Sequence, residues 1–126
     1  MAALREIVFD CKRAAPLARF WAAVLDGYAV RPYDAADIEQ LAGLGLTPET
    51  DPTVLVDGPG PILCFQEVPE PKTAKNRVHL DALVPDLPAE VERLVALGAS
   101  VHEEFDGHAT MLDPEGNEFC IQQRRK

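Results

Sequence analysis

Positive charge is in short supply: 12 Lys and Arg stand against 21 Asp and Glu, leaving a net charge of −9. That balance repels a phosphate backbone or an anionic bilayer, so neither nucleic acid nor membrane is expected as a partner. Three basic residues, Arg124, Arg125 and Lys126, close the sequence, and so short a run reads as a solvated tail. Long apolar runs are also missing. No stretch approaches the roughly 18–20 residues that span a bilayer, and Met1 to Glu6 lacks a charged region followed by an apolar one, so the expected location is cytoplasmic. Cysteine pairs are absent: Cys11, Cys64 and Cys120 have no C-x-x-C spacing, which argues for reduced thiols and against a disulfide framework or zinc knuckle. Aromatics number eight among 126 residues, against 17 alanines, so the core must be aliphatic with close helix contacts.

What remains is enough for one domain over residues 1–126, since a chain of this size buries about two-thirds of its unfolded surface. Arg5 to Cys11 reads as a strand. Leu17, Phe20, Trp21, Val24 and Leu25 then recur at helical spacing after Pro16, a stripe that stops at Gly27. Tyr28 to Tyr33 reads as a second strand. Asp34 opens a shorter helix with Ile38, Leu41 and Leu44 on one side, ended by Gly45 and Pro48. Thr53 to Val56 and Ile62 to Val68 are strands joined by the turn-forming run Asp57 to Pro61. The gap before Thr53 is long for a hairpin and reads either as a lid or as an inert loop.

Residues 69–76 carry two prolines and no apolar periodicity, and read as a connector between a first module, about 4–68, and a second, about 77–123. Beyond the connector the pattern repeats. Arg77 to Val84 is a strand; Asp86 and Pro88 open a helix with Val91, Leu94 and Val95 that ends at Gly98; Ser100 to Phe105, Ala109 to Leu112 and Glu118 to Gln122 are three short strands. Ile62 to Glu67 and Glu118 to Gln123 place Cys and Gln at the same offsets, a weak internal repeat. The expected class is α+β: two paired β-α-β-β-β modules.

The helix segment Leu17-Ala18-Arg19-Phe20-Trp21, the strand Val78-His79-Leu80-Asp81 and the closing run Asp113-Pro114-Glu115-Gly116-Asn117-Glu118-Phe119 resemble the vicinal oxygen chelate superfamily, which includes glyoxalases, bleomycin-resistance proteins and extradiol dioxygenases. Within it the sequence looks most like the glyoxalase-like domains. The resemblance spans nearly the whole chain. It implies a curved eight-stranded mixed sheet around a cleft with helices outside, a small-molecule ligand, and usually a homodimer. It also implies one divalent metal ion, Zn, Ni, Mn or Fe, held from the first and fourth strands of each module and acting as a Lewis acid.

Carried over position by position, that resemblance assigns His79 as a metal ligand. The matching place in the first module is Glu6, or Val8 if the register slides to align Asp10 with Asp81. The ligand carboxylate of the last strand falls on Cys120, and its first-module counterpart on Cys64; neither is Glu, which sets the chain apart from glyoxalase I, the dioxygenases and the fosfomycin transferases. Strand alternation puts Asp10 with Glu6, Asp81 with His79, Gln66 with Cys64 and Gln122 with Cys120. Asp10, Gln66, Asp81 and Gln122 are therefore candidate substrate contacts, with solvent exposure as the plain alternative. Trp21 and Phe20 are expected to pack on the sheet rather than to bind ligand, and Phe65 and Phe119 to lie under the helices. His102 and His108 are expected at the surface. No catalytic residue is assigned. Two functions are open: a metal-dependent lyase or isomerase acting on vicinal oxygens, or a metal-free protein sequestering a cationic or aromatic drug, as bleomycin-resistance proteins do.

Overall fold

The computed structural model describes residues 1–125, so Lys126 of the basic tail lies outside the described residues. The chain divides into two units, Met1–Pro71 and Lys72–Lys126. The first runs β1 (Glu6–Cys11), α1 (Ala14–Val24), β2 (Ala29–Val30), α2 (Ala35–Gly43), β3 (Thr53–Asp57) and β4 (Ile62–Glu67). The second runs β5 (Asp81–Val84), α3 (Leu87–Leu97), β6 (Ser100–Phe105), β7 (His108–Leu112) and β8 (Glu118–Gln123). Each unit has one four-stranded sheet, in the orders β1-β4-β3-β2 and β5-β8-β7-β6. The outer pair β1 with β4, or β5 with β8, is parallel and the other pairs are antiparallel. The architecture is α+β, with two four-stranded mixed sheets and three helices among the described residues, one module to each unit as the sequence leads one to expect.

The helical stripe read from the sequence is the core of the first unit. Leu17, Phe20, Trp21 and Val24 are buried, together with Val54, Val56, Leu63 and Phe65 from the sheet. Phe9 stacks on Phe65 at 5.0 Å and on Trp21 at 5.8 Å, and Phe20 meets Trp21 edge-on. Aromatics are few, and four of them share this one cluster. In the second unit Leu94 is the one buried residue of α3, and Ala109, Met111, Phe119 and Ile121 are buried in the sheet.

Each main helix is started in part by the last residue of its parallel strand partner. Ala14 N–H donates to Glu67 Oε2 at 2.9 Å, and Leu87 N–H donates to Gln123 Oε1 at 2.8 Å. Both donors are orphan amides of a helix first turn. Asp86 adds a side-chain cap to Ala89 N–H, and Gly98, at φ +117°, closes α3 in the left-handed conformation that a side chain would resist.

Three elements differ from the sequence reading. The second strand shrinks to Ala29–Val30: Arg31 N–H still reaches Leu55 O at 2.8 Å, but Pro32 has no donor to continue the ladder. No residue of α2 is buried, so the stripe of Ile38, Leu41 and Leu44 is not a core face. Finally β5 begins at Asp81, not Arg77, so His79 lies in an irregular segment ahead of the strand. The long loop before β3 is tied down, with Arg19 gripping both oxygens of Glu49 at 2.7 and 2.9 Å and Tyr33 Oη donating to Asp51 at 2.7 Å.

Candidate functional site

The parallel pairing of β5 with β8 sets Asp81 opposite Cys120, and His79, two residues ahead of Asp81 in the segment leading into β5, brings its imidazole to the same pair. Ligand atoms of His79, Asp81 and Cys120 all fall within 4.8 Å of one another. His79 Nε2 is 3.3 Å from Asp81 Oδ1, with the two side chains 43 % and 66 % exposed, so the cluster is open to an incoming group. Cys120 is half-buried and its Sγ lies 3.6 Å from Thr110 Oγ1 on β7. No other group of three His, Cys, Asp or Glu side chains among the described residues converges in this way.

Chemically the donor set is one imidazole nitrogen, one carboxylate oxygen and one sulfur. Around a tetrahedral ion with bonds of about 2.0–2.3 Å, neighbouring ligand atoms stand about 3.3–3.8 Å apart. The His79–Asp81 distance already matches, and the Cys120 sulfur lies within 4.8 Å of both ligand atoms. The residues therefore fit a divalent ion with three protein ligands and open positions, the arrangement of catalytic rather than structural zinc sites.

In the first unit the pairing register identifies the equivalent places. Val8 lies opposite Cys64 as Asp81 lies opposite Cys120, so Val8 is the counterpart of Asp81, and Glu6 that of His79. Glu6 is half-buried, with Arg5 Nε 3.3 Å from its Oε1. Burial pushes the Cys64 thiol up to about 11, and its hydrogen bond to Glu6 and the charge of that carboxylate push the same way. A thiol so held stays protonated at neutral pH, which weakens it as a nucleophile there.

The remaining candidates are placed plainly. Asp10 and Gln66 are cross-strand partners, both exposed. Gln122 is exposed opposite Leu83. His102 is exposed, and His108 is half-buried with its ring stacked on Phe105 at 4.4 Å. Two placements go beyond the sequence reading. Asp81, expected as a substrate contact, has its carboxylate grouped with His79 and Cys120; its alternation with His79 was the available signal. Glu118, read from the sequence only as the start of the last strand and part of the closing run, accepts from Lys72 and from the Asn76 N–H. Burial pushes the Glu118 carboxyl up, but these hydrogen bonds outweigh it and hold the group down at about 2.

Comparison with known proteins supplies the rest. Residues 6–122 match the family described as glyoxalase-like domain. No curated protein sequence matches. Among solved structures, a glyoxalase/bleomycin resistance protein/dioxygenase family enzyme from Burkholderia phytofirmans aligns with 97 % of this chain and 98 % of its own, at TM-score 0.62 and 20 % identity. The fosfomycin resistance protein FosX from Mesorhizobium loti aligns over 97 % and 91 %, at TM-score 0.66 and 16 % identity. A FosX variant from Listeria monocytogenes, complexed with Mn(II) and 1S,2S-dihydroxypropylphosphonic acid, aligns over 97 % and 90 %, at TM-score 0.63 and 12 % identity. At such identities these likenesses speak for the fold alone. Because the family match runs over residues 6–122, nearly the whole chain, the chain belongs to the glyoxalase-like domain family of the vicinal oxygen chelate superfamily.

Proposed function

We propose that the protein is a metal-dependent small-molecule enzyme of the lyase or isomerase type, acting on a substrate with vicinal oxygens at the cluster of His79, Asp81 and Cys120. The observation that carries this reading is the convergence of those three donor atoms within 4.8 Å on one edge strand pair and the segment before it. Among the ions considered, a set with nitrogen, oxygen and sulfur suits Zn²⁺ or Fe²⁺ better than Mn²⁺ or Ni²⁺, because the sulfur is a soft donor. When bound, such an ion polarises substrate oxygens as a Lewis acid. The chain's own contributions are then simple. Asp81 balances charge beside the His79 imidazole, Thr110 orients the Cys120 sulfur, and the open side of the cluster leaves room for two substrate oxygens. The Mn(II) and diol phosphonate reported for the Listeria relative are consistent with an oxygen-rich ligand on this fold.

Glu6 in the first unit is also taken as a metal ligand, on the strength of its place in the repeat. Asp10, Gln66 and Gln122, exposed polar side chains on β1, β4 and β8, are taken as substrate contacts. The working assembly is taken to be a homodimer in the cytoplasm, supported by the family and by three free cysteines.

The test is elemental analysis of protein prepared in metal-replete medium, together with thermal shifts on adding Zn²⁺, Fe²⁺, Mn²⁺ or Ni²⁺. The expected result is about one ion per chain and stabilisation that disappears in His79→Ala. Absence of both ion and stabilisation would overturn the reading. Tight binding of a basic drug by the metal-free protein would instead favour the sequestering function.

A further inference from the structure

His79 has no strand around it, and yet its imidazole meets Asp81 and Cys120. The reason lies in how the chain ahead of it is tied. Lys72 Nζ lies 2.9 Å from Glu118 Oε1 and also donates to the Ala74 carbonyl. Asn76 N–H donates to the same Glu118 oxygen at 3.2 Å. Beyond His79, the Leu80 carbonyl accepts from Cys120 N–H at 2.9 Å. The residues from Asn76 to Leu80 are thus fastened at both ends to β8, the strand that also carries Cys120. Arg77 and Val78, between the ties, are exposed and make no ladder bond. The Leu80 tie is an ordinary ladder bond of the parallel pair; the Asn76 tie depends on one side chain.

We propose that Lys72 and Glu118 are positioning residues for the metal site: their ion pair holds the segment that presents His79, and so sets the affinity of a cluster neither of them belongs to. This rests on the reading of His79, Asp81 and Cys120 as metal ligands. Glu118 is not a fourth donor here, since its oxygens are taken by Lys72 and the Asn76 amide, and its side chain is 13 % exposed against 25 % for Lys72. The chain ordering that the pair supplies would otherwise have to be supplied by the metal at the moment of binding. Partners that orient a metal ligand typically change affinity by about 10–100-fold when removed, and the lower end applies because the Leu80 tie remains.

The experiment compares the full chain with Lys72→Met, Lys72→Arg and Glu118→Ala, using Zn²⁺ alone in chelator competition. A second readout is the imidazole nitrogen NMR signals of the three histidines. Lys72→Met keeps the aliphatic stem and should stay folded, which far-ultraviolet circular dichroism verifies. About tenfold weaker Zn²⁺ binding is expected in Lys72→Met and Glu118→Ala, with recovery in Lys72→Arg. The His79 signals should shift or broaden while those of His102 and His108 stay put. Zn²⁺ binding in Lys72→Met equal to or tighter than in the parent overturns the proposal. If the parent binds no Zn²⁺, the functional reading falls, and the NMR readout still decides this one: unchanged His79 signals in both variants overturn it.

Discussion

Replacing Asp113 with Ala should cost about 3 kcal/mol of folding stability, although the residue stands in an outwardly ordinary turn between β7 and β8. Asp113 is the one buried charged residue among those described, at 3 % exposure. Its Oδ1 accepts from Glu115 N–H and Asn117 N–H, each at 2.9 Å, and the Asn117 amide Nδ2 donates to Oδ2 at 2.9 Å and to Oδ1 at 3.1 Å. Hydrogen bonds to a charged acceptor are worth about 1.5–3 kcal/mol each. Two of these donors are backbone amides that lose their acceptor outright in the alanine variant. Glu115 and Asn117 are only half-buried, so water recovers part of the loss, and relief from burying the carboxylate offsets a little more. The balance of about 3 kcal/mol is a large fraction of the roughly 5–15 kcal/mol that holds a domain together, and lowers Tm by about 10 °C. Asp113→Asn retains one acceptor for the two backbone amides and should cost about half as much. Urea and thermal unfolding of the three proteins measure this directly. A cost below 0.5 kcal/mol for Asp113→Ala, or a greater cost for Asn than for Ala, would refute the reasoning, the threshold being the scatter of ordinary surface substitutions at roughly ±0.5 kcal/mol.

Cys64 should titrate late. An unfolded thiol ionises near 9 and the folded one, raised by burial and by Glu6, at about 11, so its contribution to stability is whole below pH 9 and is lost as pH rises toward 11. Thiolate absorbance of a variant keeping Cys64 alone should show the late midpoint; a midpoint near 9 contradicts it. Gly58→Ala places a methyl 2.4 Å from the Tyr28 ring, whose hydroxyl donates to Pro61 O at 2.9 Å. It should cost about 1–3 kcal/mol, and chemical denaturation should show almost no further loss when it is added to Tyr28→Ala. Cys120→Ser removes the soft donor, so Zn²⁺ affinity in chelator competition should fall about tenfold or more while Mn²⁺ affinity changes less; equal losses for the two ions would exclude sulfur as a ligand.

Helices that pack were legible because their signals are local. The stripe from Leu17 to Val24 recurs within eleven residues, and α3 carries its own start and stop in Asp86, Pro88 and Gly98. The order of strands was legible for the same reason, each being bounded by turn residues. Where the reading went astray, the deciding partner was remote or missing. Arg77 to Leu80 has strand composition, but the Asn76 amide is claimed by a side chain 42 residues away, and no window of sequence shows that. Ile38, Leu41 and Leu44 keep helical spacing without a sheet to cover them. Of the cluster, alternation already set Asp81 with His79, whereas the approach of Cys120 to them depends on the β5–β8 register, which pairs residues 39 apart.

The repeat turns that register into an argument about chemistry. Each unit starts its helix with the last residue of its parallel partner strand, Glu67 for α1 and Gln123 for α3, and each sets a cysteine opposite the third or first residue of its edge strand, Val8 in one and Asp81 in the other. The backbone therefore offers the same three places twice. In the first unit they hold Glu6, Val8 and Cys64. With valine in the middle place, the carboxylate of Glu6 turns to the thiol, and the proton it shares there is retained to about pH 11. One carboxylate and one protonated sulfur give an ion a single charged donor. In the second unit the same places hold His79, Asp81 and Cys120, and the added carboxylate sits against the imidazole at 3.3 Å. Three donors then converge where the other unit converges on a hydrogen bond. The difference lies in side chains on a common frame, so Val8→Asp with Glu6→His should carry the donor set of the second unit into the first. If metal titration of that double variant, made in a Cys120→Ser background, showed no gain in Zn²⁺ binding over Cys120→Ser alone, the frame would not be what gathers the donors.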